Sequence, residues 1–196
     1  MTRRTIRVVL FVFAVQLTAF ADTTVIDFES LADQALVTNQ YSSLGVTFSN
    51  AIVLAAGQSL NEFDFPPHSG SNVVGDLGGP ITLTFSSAVF DFSGYFTYTT
   101  ELSLAGRNTM GTVVSSTQSS GSQNFTSSGG TPNEFIDLSD SRGFLSVTIQ
   151  GNSGGGSFTM DDISFSTSPV PSVPEPASLL LVGCGLGFVT ILRIRN

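Results

Sequence analysis

The chain has 196 residues, of which 41% are hydrophobic and 11% charged, with a formal net charge of −8 at pH 7. Between positions 22 and 174 it has 14 acidic residues, two arginines (Arg107 and Arg142) and no lysine, which is a net charge of −12. Such acidity leaves no basic surface for nucleic acid or anionic lipid, and both are excluded as partners. The single cysteine, Cys184, excludes an intramolecular disulfide.

The first 21 residues have the parts of a secretory signal peptide. Three arginines precede an apolar run that is too short for a membrane span. Ala19 and Ala21 then supply the small residues of an A-x-A cleavage pattern for signal peptidase. We therefore expect residues 1–21 to form a signal helix that is removed on export, so that the mature chain starts at Asp22.

Residues 22–166 consist of short apolar runs separated by clusters of Gly, Ser, Asn and Asp, which is typical of strands joined by turns. Several runs alternate apolar and polar residues, as in Ile81, Leu83 and Phe85, so one face would be buried and the other solvated. The predicted strands are 24–29, 44–49, 51–55, 81–85, 88–98, 101–105, 111–116, 122–126, 134–138, 144–150 and 157–165.

Only residues 31–37 have helical spacing, and they predict one or two turns. The number of predicted strands and the regular turns between them indicate an all-β fold. The specific prediction is an antiparallel β-sandwich of jelly-roll type, formed by residues 22–166 as one domain.

The first and last predicted strands carry the best candidate for a site. Near the end of the domain, the apolar phase changes at Asp161 and Asp162, which predicts a β-bulge. If the two strands are neighbours, Asp27 or Glu29 would join these carboxylates, and several carboxylates with loop carbonyls suit Ca²⁺. The alternative is a solvated acidic edge that prevents edge-to-edge pairing. Structural calcium is the one cofactor that the sequence suggests.

No residue pattern indicates catalysis. Residues 151–155 match G-x-S-x-G but lie between two predicted strands, whereas a nucleophile elbow opens a helix. His68, the only histidine, follows two prolines in a predicted loop, where a solvated side chain is expected. Tyr95 and Tyr41 are candidates for stacking on a sugar ring, with ordinary packing as the alternative. We predict that the protein is not an enzyme.

The C-terminal part combines a spacer, an apolar span and a basic end. Residues 167–173 are rich in Pro and Ser, which predicts an extended linker. The span 177–192 is uncharged and about 24 Å long as a helix, which is short of the roughly 30 Å hydrocarbon core. We expect it to form a single transmembrane helix with its basic end in the cytoplasm. The residues that flank the span are Pro174, Glu175, Pro176, Arg193 and Arg195.

Residues 174–196 resemble the PEP-CTERM sorting signal of Gram-negative bacterial surface proteins. The resemblance implies cleavage near the Pro-Glu-Pro triplet by an exosortase-type membrane protease. It also implies association with exopolysaccharide. Residues 25–166 are similar to the exported β-sandwich domains often found before such tails, through the segments IDFE, LGVTFSNA and FTMDDISF.

The sequence therefore predicts an exported, non-enzymatic protein that is anchored in the membrane before processing. Afterwards it would lie at the cell surface or in the extracellular matrix, with extracellular polysaccharide as a partner. The alternative function is that of a calcium-stabilised carbohydrate-binding jelly-roll module.

Overall fold

The computed structural model describes residues 23–169, and these form an all-β antiparallel structure of the sandwich class. The strands are β1 (Thr23–Ile26), β2 (Leu36–Val37), β3 (Val46–Ser49), β4 (Ala51–Ala55), β5 (Asn72–Asp76), β6 (Ile81–Tyr98), β7 (Ser103–Arg107), β8 (Val113–Gln118), β9 (Glu134–Gln150) and β10 (Phe158–Ser166). Two short 3₁₀ helices, Ser42–Leu44 and Thr126–Ser128, interrupt the loops.

The two longest strands, β6 and β9, join the layers of the sandwich. The first part of β6 pairs with β3 and with the second half of β9, which in turn pairs with β7. The second part of β6 pairs with β10 and with the first half of β9. The pairing of β6 with β9 shifts register between Thr84 and Asp91, where the strands pass from one layer to the other.

Alternating apolar residues of both layers fill the core with aromatic and branched side chains. Phe92 and Phe96 on β6 are fully buried, as is Phe144 on β9 at 1% exposure. Phe85 packs against Phe165 across the core with ring centroids 5.1 Å apart. Eight of the thirteen phenylalanines within residues 23–169 are buried in this core, as the period-two pattern indicates.

Several sequence predictions about individual strands were wrong. β5 was missed, and residues 31–37 form turns followed by β2 rather than helical turns. Residues 122–126 are not a strand. The strands predicted at 81–85 and 88–98 are one strand, as are those at 134–138 and 144–150, because both pairs continue across the sandwich corner.

The loop of residues 56–71, between β4 and β5, covers part of the outer face of the sheet. Its carbonyl at Pro66 accepts a hydrogen bond from the Asn133 side chain (3.1 Å), and the Asp64 carboxylate accepts one from the Ser127 backbone (3.0 Å). Phe65 stacks on Phe125 with centroids 6.2 Å apart. We call these residues the covering loop.

The predicted signal peptide (1–21), the triplet 174–176, the span 177–192 and the basic end lie outside the described residues, as does most of the linker 167–173. Ala19, Ala21, Pro174, Glu175, Pro176, Arg193 and Arg195 are therefore not placed. No helix within residues 23–169 has the length and hydropathy that a membrane span requires.

Candidate functional site

The first and last strands of the domain are neighbours, which is the condition that the predicted carboxylate cluster required. β1 pairs antiparallel with β10, and Ile26 is opposite Ile163. The predicted bulge is also present: the pairing of β10 with β6 shifts between Asp161 and Ser164, and Asp162 has a left-handed backbone (φ 43°). The bulge keeps Met160 and Ile163 fully buried in the core on either side of the two aspartates.

Asp161 is buried beneath the end of the covering loop, with 1% of its surface exposed. Its Oδ2 accepts hydrogen bonds from the backbone N–H groups of His68 (2.8 Å) and Ser69 (3.0 Å). Burial, with the nearby charge of Asp162, raises the pKa of Asp161 to about 6, although the hydrogen bonds from the backbone of Ser69, Asp162 and His68 oppose this. Asp161 thus fastens the loop to the sheet.

Asp162 makes a second contact with the same loop through side chains. Its Oδ2 lies 2.6 Å from Nδ1 of His68, and its Oδ1 accepts a hydrogen bond from the Ser69 hydroxyl (2.9 Å). The carboxylate therefore stands between the serine and the histidine. A nucleophilic triad needs the histidine in the middle, so that it can take the proton of the serine, and this order does not provide that.

The other two predicted carboxylates make separate contacts. Glu29 accepts hydrogen bonds from the backbone of Ser71 (3.0 Å) and Asn72 (2.7 Å), and Asp27 accepts one from the backbone of Glu29 (3.2 Å). Within residues 23–169, no three His, Cys, Asp or Glu side chains are grouped so that they could hold a metal ion. Calcium binding by Asp27, Glu29, Asp161 and Asp162 stays a prediction.

His68 covers one face of an aromatic side chain on the sheet. Its ring stacks on that of Tyr95, with centroids 3.4 Å apart and an interplanar angle of 9°. Tyr95 is also next to Phe135 on the neighbouring strand, with centroids 5.4 Å apart. Phe135 is 55% exposed. The structure thus places three rings in a row, from the covering loop across β6 to β9.

Polar groups continue this outer face along the same strands. Ser93 is opposite Asp137, and Asp91 is opposite Ser139. The Ser93 hydroxyl bonds to that of Ser164 on β10 (2.7 Å). Burial, and secondly the charge of Asp137, raise the pKa of Asp91. We call the set Asp91, Ser93, Tyr95, Phe135 and Asp137, bordered by His68, the outer-face platform.

Tyr95 was a candidate from the sequence, whereas Phe135 was missed and His68 was expected to be solvated. The available signal was phase: Phe135 shares its phase with Asp137, opposite to the apolar Ile136 and Leu138. An apolar aromatic ring in the polar phase of an amphipathic strand indicates a ring on the solvated face. No local pattern predicts the position of His68, since its partners are 93 and 94 residues away.

Tyr41 and the G-x-S-x-G match, which the sequence analysis singled out, have structural roles, and so does Asn124. Tyr41 is partly buried and makes T-shaped contacts with Phe28 and Phe48, with centroids 5.8 Å and 6.0 Å away, so its ring packs against the core. Asn124, in the sequon-like segment Asn-Phe-Thr, is buried, and its amide bonds to the Phe96 carbonyl (2.9 Å) and the Tyr98 N–H (2.7 Å). The G-x-S-x-G match lies in the turn between β9 and β10, with no helix after it.

No protein-family model and no curated protein matches the chain. Similar solved structures include the K2 cleaved adhesin domain of Lys-gingipain, which is 17% identical with a TM-score of 0.48 and covers 74% of this chain and 99% of its own. A DUF4465 family protein from Bacteroides caccae is 10% identical (TM-score 0.43, 74% and 98% covered). A family 29 carbohydrate-binding module is 14% identical (TM-score 0.36, 68% and 97% covered). None of these similarities establishes a family for the chain.

Proposed function

We propose that this chain is an exported, non-enzymatic surface protein whose jelly-roll-type sandwich binds an uncharged extracellular polysaccharide through the outer-face platform. The observation that carries the proposal is an aromatic ring, Phe135, that is 55% exposed beside Tyr95 and two residues along β9 from Asp137. The ring and the polar row lie on the same outer face of adjacent strands, where Phe135 and Asp137 are exposed and Ser93 is buried.

The chemistry of the platform suits a sugar ring. The C–H groups on one face of a pyranose are apolar and pack against an aromatic side chain. This packing contributes most to binding where the aromatic side chain is held rigidly. The hydroxyls at the rim of the sugar donate to the carboxylates of Asp137 and Asp91, and hydrogen bonds to charged acceptors are shorter and stronger than neutral ones. Because strands β6 and β9 hold these groups in place, little ordering would accompany binding.

The charge distribution supports an uncharged polymer rather than an anionic one. The two arginines of the described residues, Arg107 and Arg142, do not belong to the platform, which carries two aspartates. A polyuronate or sulfated glycan would be repelled by these carboxylates at the contact distance, where salt screens least.

Delivery to the surface is supported by the sequence alone. The proposal includes removal of residues 1–21 by signal peptidase, transient anchoring by the span 177–192 and cleavage near Glu175 by an exosortase-type protease. The absence of enzymatic activity is part of the same proposal. Its support is that Asp161, the carboxyl group whose pKa is raised to about 6, is buried and bonded to backbone, where no substrate reaches it.

The test is binding of the full-length chain, purified in a detergent without a sugar headgroup, to dextran and cellulose, with alginate as the anionic comparison. We expect Phe135→Ala to weaken binding to the neutral polymers about tenfold, as the loss of one stacking ring predicts. Phe63→Ala is the matched control, because Phe63 is a phenylalanine that is 71% exposed and lies outside the platform.

Equal binding by Phe135→Ala and the unmodified chain would overturn the platform as the binding surface. Binding of alginate as tightly as dextran would overturn the proposed preference for uncharged polymers.

A further inference from the structure

A cleft of about 390 Å³ opens at one end of the sandwich, separate from the outer-face platform. It lies between the end of β6, the loop that precedes β9, and the first residue of β9. The residues that line it include Tyr98, Ser120, Gln123, Asn124, Thr131 and Glu134. Its volume is within the range of roughly 300–1,000 Å³ that is usual for small-molecule sites. We call it the end cleft.

Hydrogen bonds of Glu134 and Asn124 hold the walls of the end cleft in place, and those of Asn124 are buried. The Tyr98 hydroxyl donates to one carboxylate oxygen of Glu134, and the Ser120 N–H donates to the other (2.8 Å). The side-chain amide of Asn124 donates to the Phe96 carbonyl and accepts from the Tyr98 N–H. These are hydrogen bonds that a neighbouring strand would otherwise make with β6. Gly130 is required beside it, since a Cβ at that position would lie 2.6 Å from the Cα of Asn124.

The lining is polar and has no cation. Arg107 and Arg142, the arginines of the described part of the chain, do not line it, and its one carboxylate is already bonded on both oxygens. The groups left at the solvent side are uncharged: the amide of Gln123 and the hydroxyls of Thr131 and Ser120, all on exposed residues. These neutral groups donate and accept hydrogen bonds, as sugar hydroxyls do. Because they are uncharged, they do not favour an anion or a cation as the ligand.

The end cleft lies at the opposite end of the sandwich from the first and last strand residues that the structure describes. Thr23 is opposite Ser166, so the start of β1 and the end of β10 lie at the same end of the sandwich. Tyr98 is opposite Phe158, at the other end of β10. β10 has nine residues, so the two ends are roughly 27 Å apart at about 3.3 Å per residue. A chain that is tethered by its C-terminal segment would present the cleft outward.

We infer that the end cleft is a second binding site, which takes one or two uncharged sugar units of a glycan. This deepens the proposed function and rests on it, because the proposed function supplies the class of ligand. Glu134 and Phe135 are consecutive residues of β9 and face opposite sides of the sheet, so the cleft is a site distinct from the platform. The side chains of Gln123 and Thr131 bind the sugar hydroxyls, and the bonded Tyr98–Glu134 pair forms the rigid floor.

The experiment is NMR titration of the isotope-labelled full-length chain, in the same detergent, with cellotetraose and maltotetraose. We expect the side-chain amide of Gln123 and the methyl group of Thr131 to shift with either or both sugars. Gln123→Ala and Thr131→Val should each weaken the affinity about three- to tenfold. Gln58→Ala, which removes an exposed glutamine of the covering loop, is the matched control.

The outcomes separate the two sites. Shifts at Gln123 and Thr131 that persist in Phe135→Ala support the end cleft as a site of its own. Shifts confined to Tyr95 and Phe135 would leave the proposed function standing and overturn the end cleft. If neither sugar changes the NMR signals of the end cleft or of the platform, the end cleft is overturned. The proposed function is then decided by the binding of dextran and cellulose.

Discussion

The two faces of β6, β9 and β10 differ although they belong to the same strands. On the inner face, Phe92, Phe96 and Met160 are fully buried. On the outer face, Tyr95 and Phe135 lie in a row with Asp161, and Phe135 is 55% exposed. Phenylalanine thus packs in the core at some positions of these strands and is exposed on the surface at another. Substitutions on the two faces should therefore separate stability from binding.

The largest effect is expected from the inner face. Phe96→Ala removes a fully buried ring next to the bulge and leaves a cavity between the layers. We expect the free energy of unfolding to fall by about 3–5 kcal/mol. Chemical denaturation followed by fluorescence or circular dichroism checks this. A loss below about 1 kcal/mol would contradict the assignment of Phe96 to a well-packed core.

The next effect is expected at Asn124, where a side chain completes the pairing of β6. Asn124→Ala leaves the buried Phe96 carbonyl and Tyr98 N–H without these partners. We expect a loss of about 2–4 kcal/mol in the free energy of unfolding, since each orphaned buried group costs about 1–3 kcal/mol. Gln123→Ala, one residue away and exposed, is the control and should change the free energy by less than about 0.5 kcal/mol.

A smaller effect, dependent on pH, is expected at Asp161 on the outer face. Its pKa is about 6 in the folded chain, against 3.8 for an unperturbed aspartate, so the folded state binds this proton more tightly than the unfolded state does. The contribution of Asp161 to stability is therefore greatest below pH 4 and is lost as the pH rises through about 6. The full contribution amounts to about 3 kcal/mol, of which about 2 kcal/mol is lost between pH 4 and pH 7.

The check compares thermal unfolding of the unmodified chain and Asp161→Asn between pH 4 and pH 7. Because Asp162 and His68, which contact the same loop, are present in both proteins, the difference between the two curves isolates Asp161. The stability of the unmodified chain relative to Asp161→Asn should fall with rising pH. A constant difference would show that the buried carboxyl does not hold a proton in this range.

The smallest effect on stability is expected at Phe135. Phe135→Ala removes a ring that is 55% exposed and touches Tyr95, and we expect the free energy of unfolding to change by less than about 0.5 kcal/mol. The same variant should lose most of its binding to dextran. A large loss of stability would mean that Phe135 is part of the packing after all, and the contrast between the two faces would not hold.

Much of the fold was predictable from alternation along single strands. The alternation Ile81, Leu83, Phe85 placed these residues inside, where they are at most 4% exposed. The change of phase at Asp161 and Asp162 predicted the bulge, because an extra residue is needed to keep Met160 and Ile163 on one face. Both predictions depend only on the two-residue period of side chains along a single strand.

The errors arose where a distant residue changed a local preference. Residues 122–126 have strand-like composition, but the side chain of Asn124 makes the hydrogen bonds that a strand backbone would make. β5 was missed because every residue of Asn72–Asp76 is buried, so the segment has no alternation of apolar and polar positions.

The sequence by itself determined which residues face inward along each long strand and indicated a bulge at the paired aspartates, since both depend on the period of an extended chain. Only the tertiary structure decided which polar residues meet. Asp161 and Asp162 hold His68 and Ser69 rather than Asp27 and Glu29, and the His68 ring lies on Tyr95. The physical reason is that contacts between residues about 90 positions apart depend on the sheet register and on the path of the covering loop. No local sequence pattern predicts either of these.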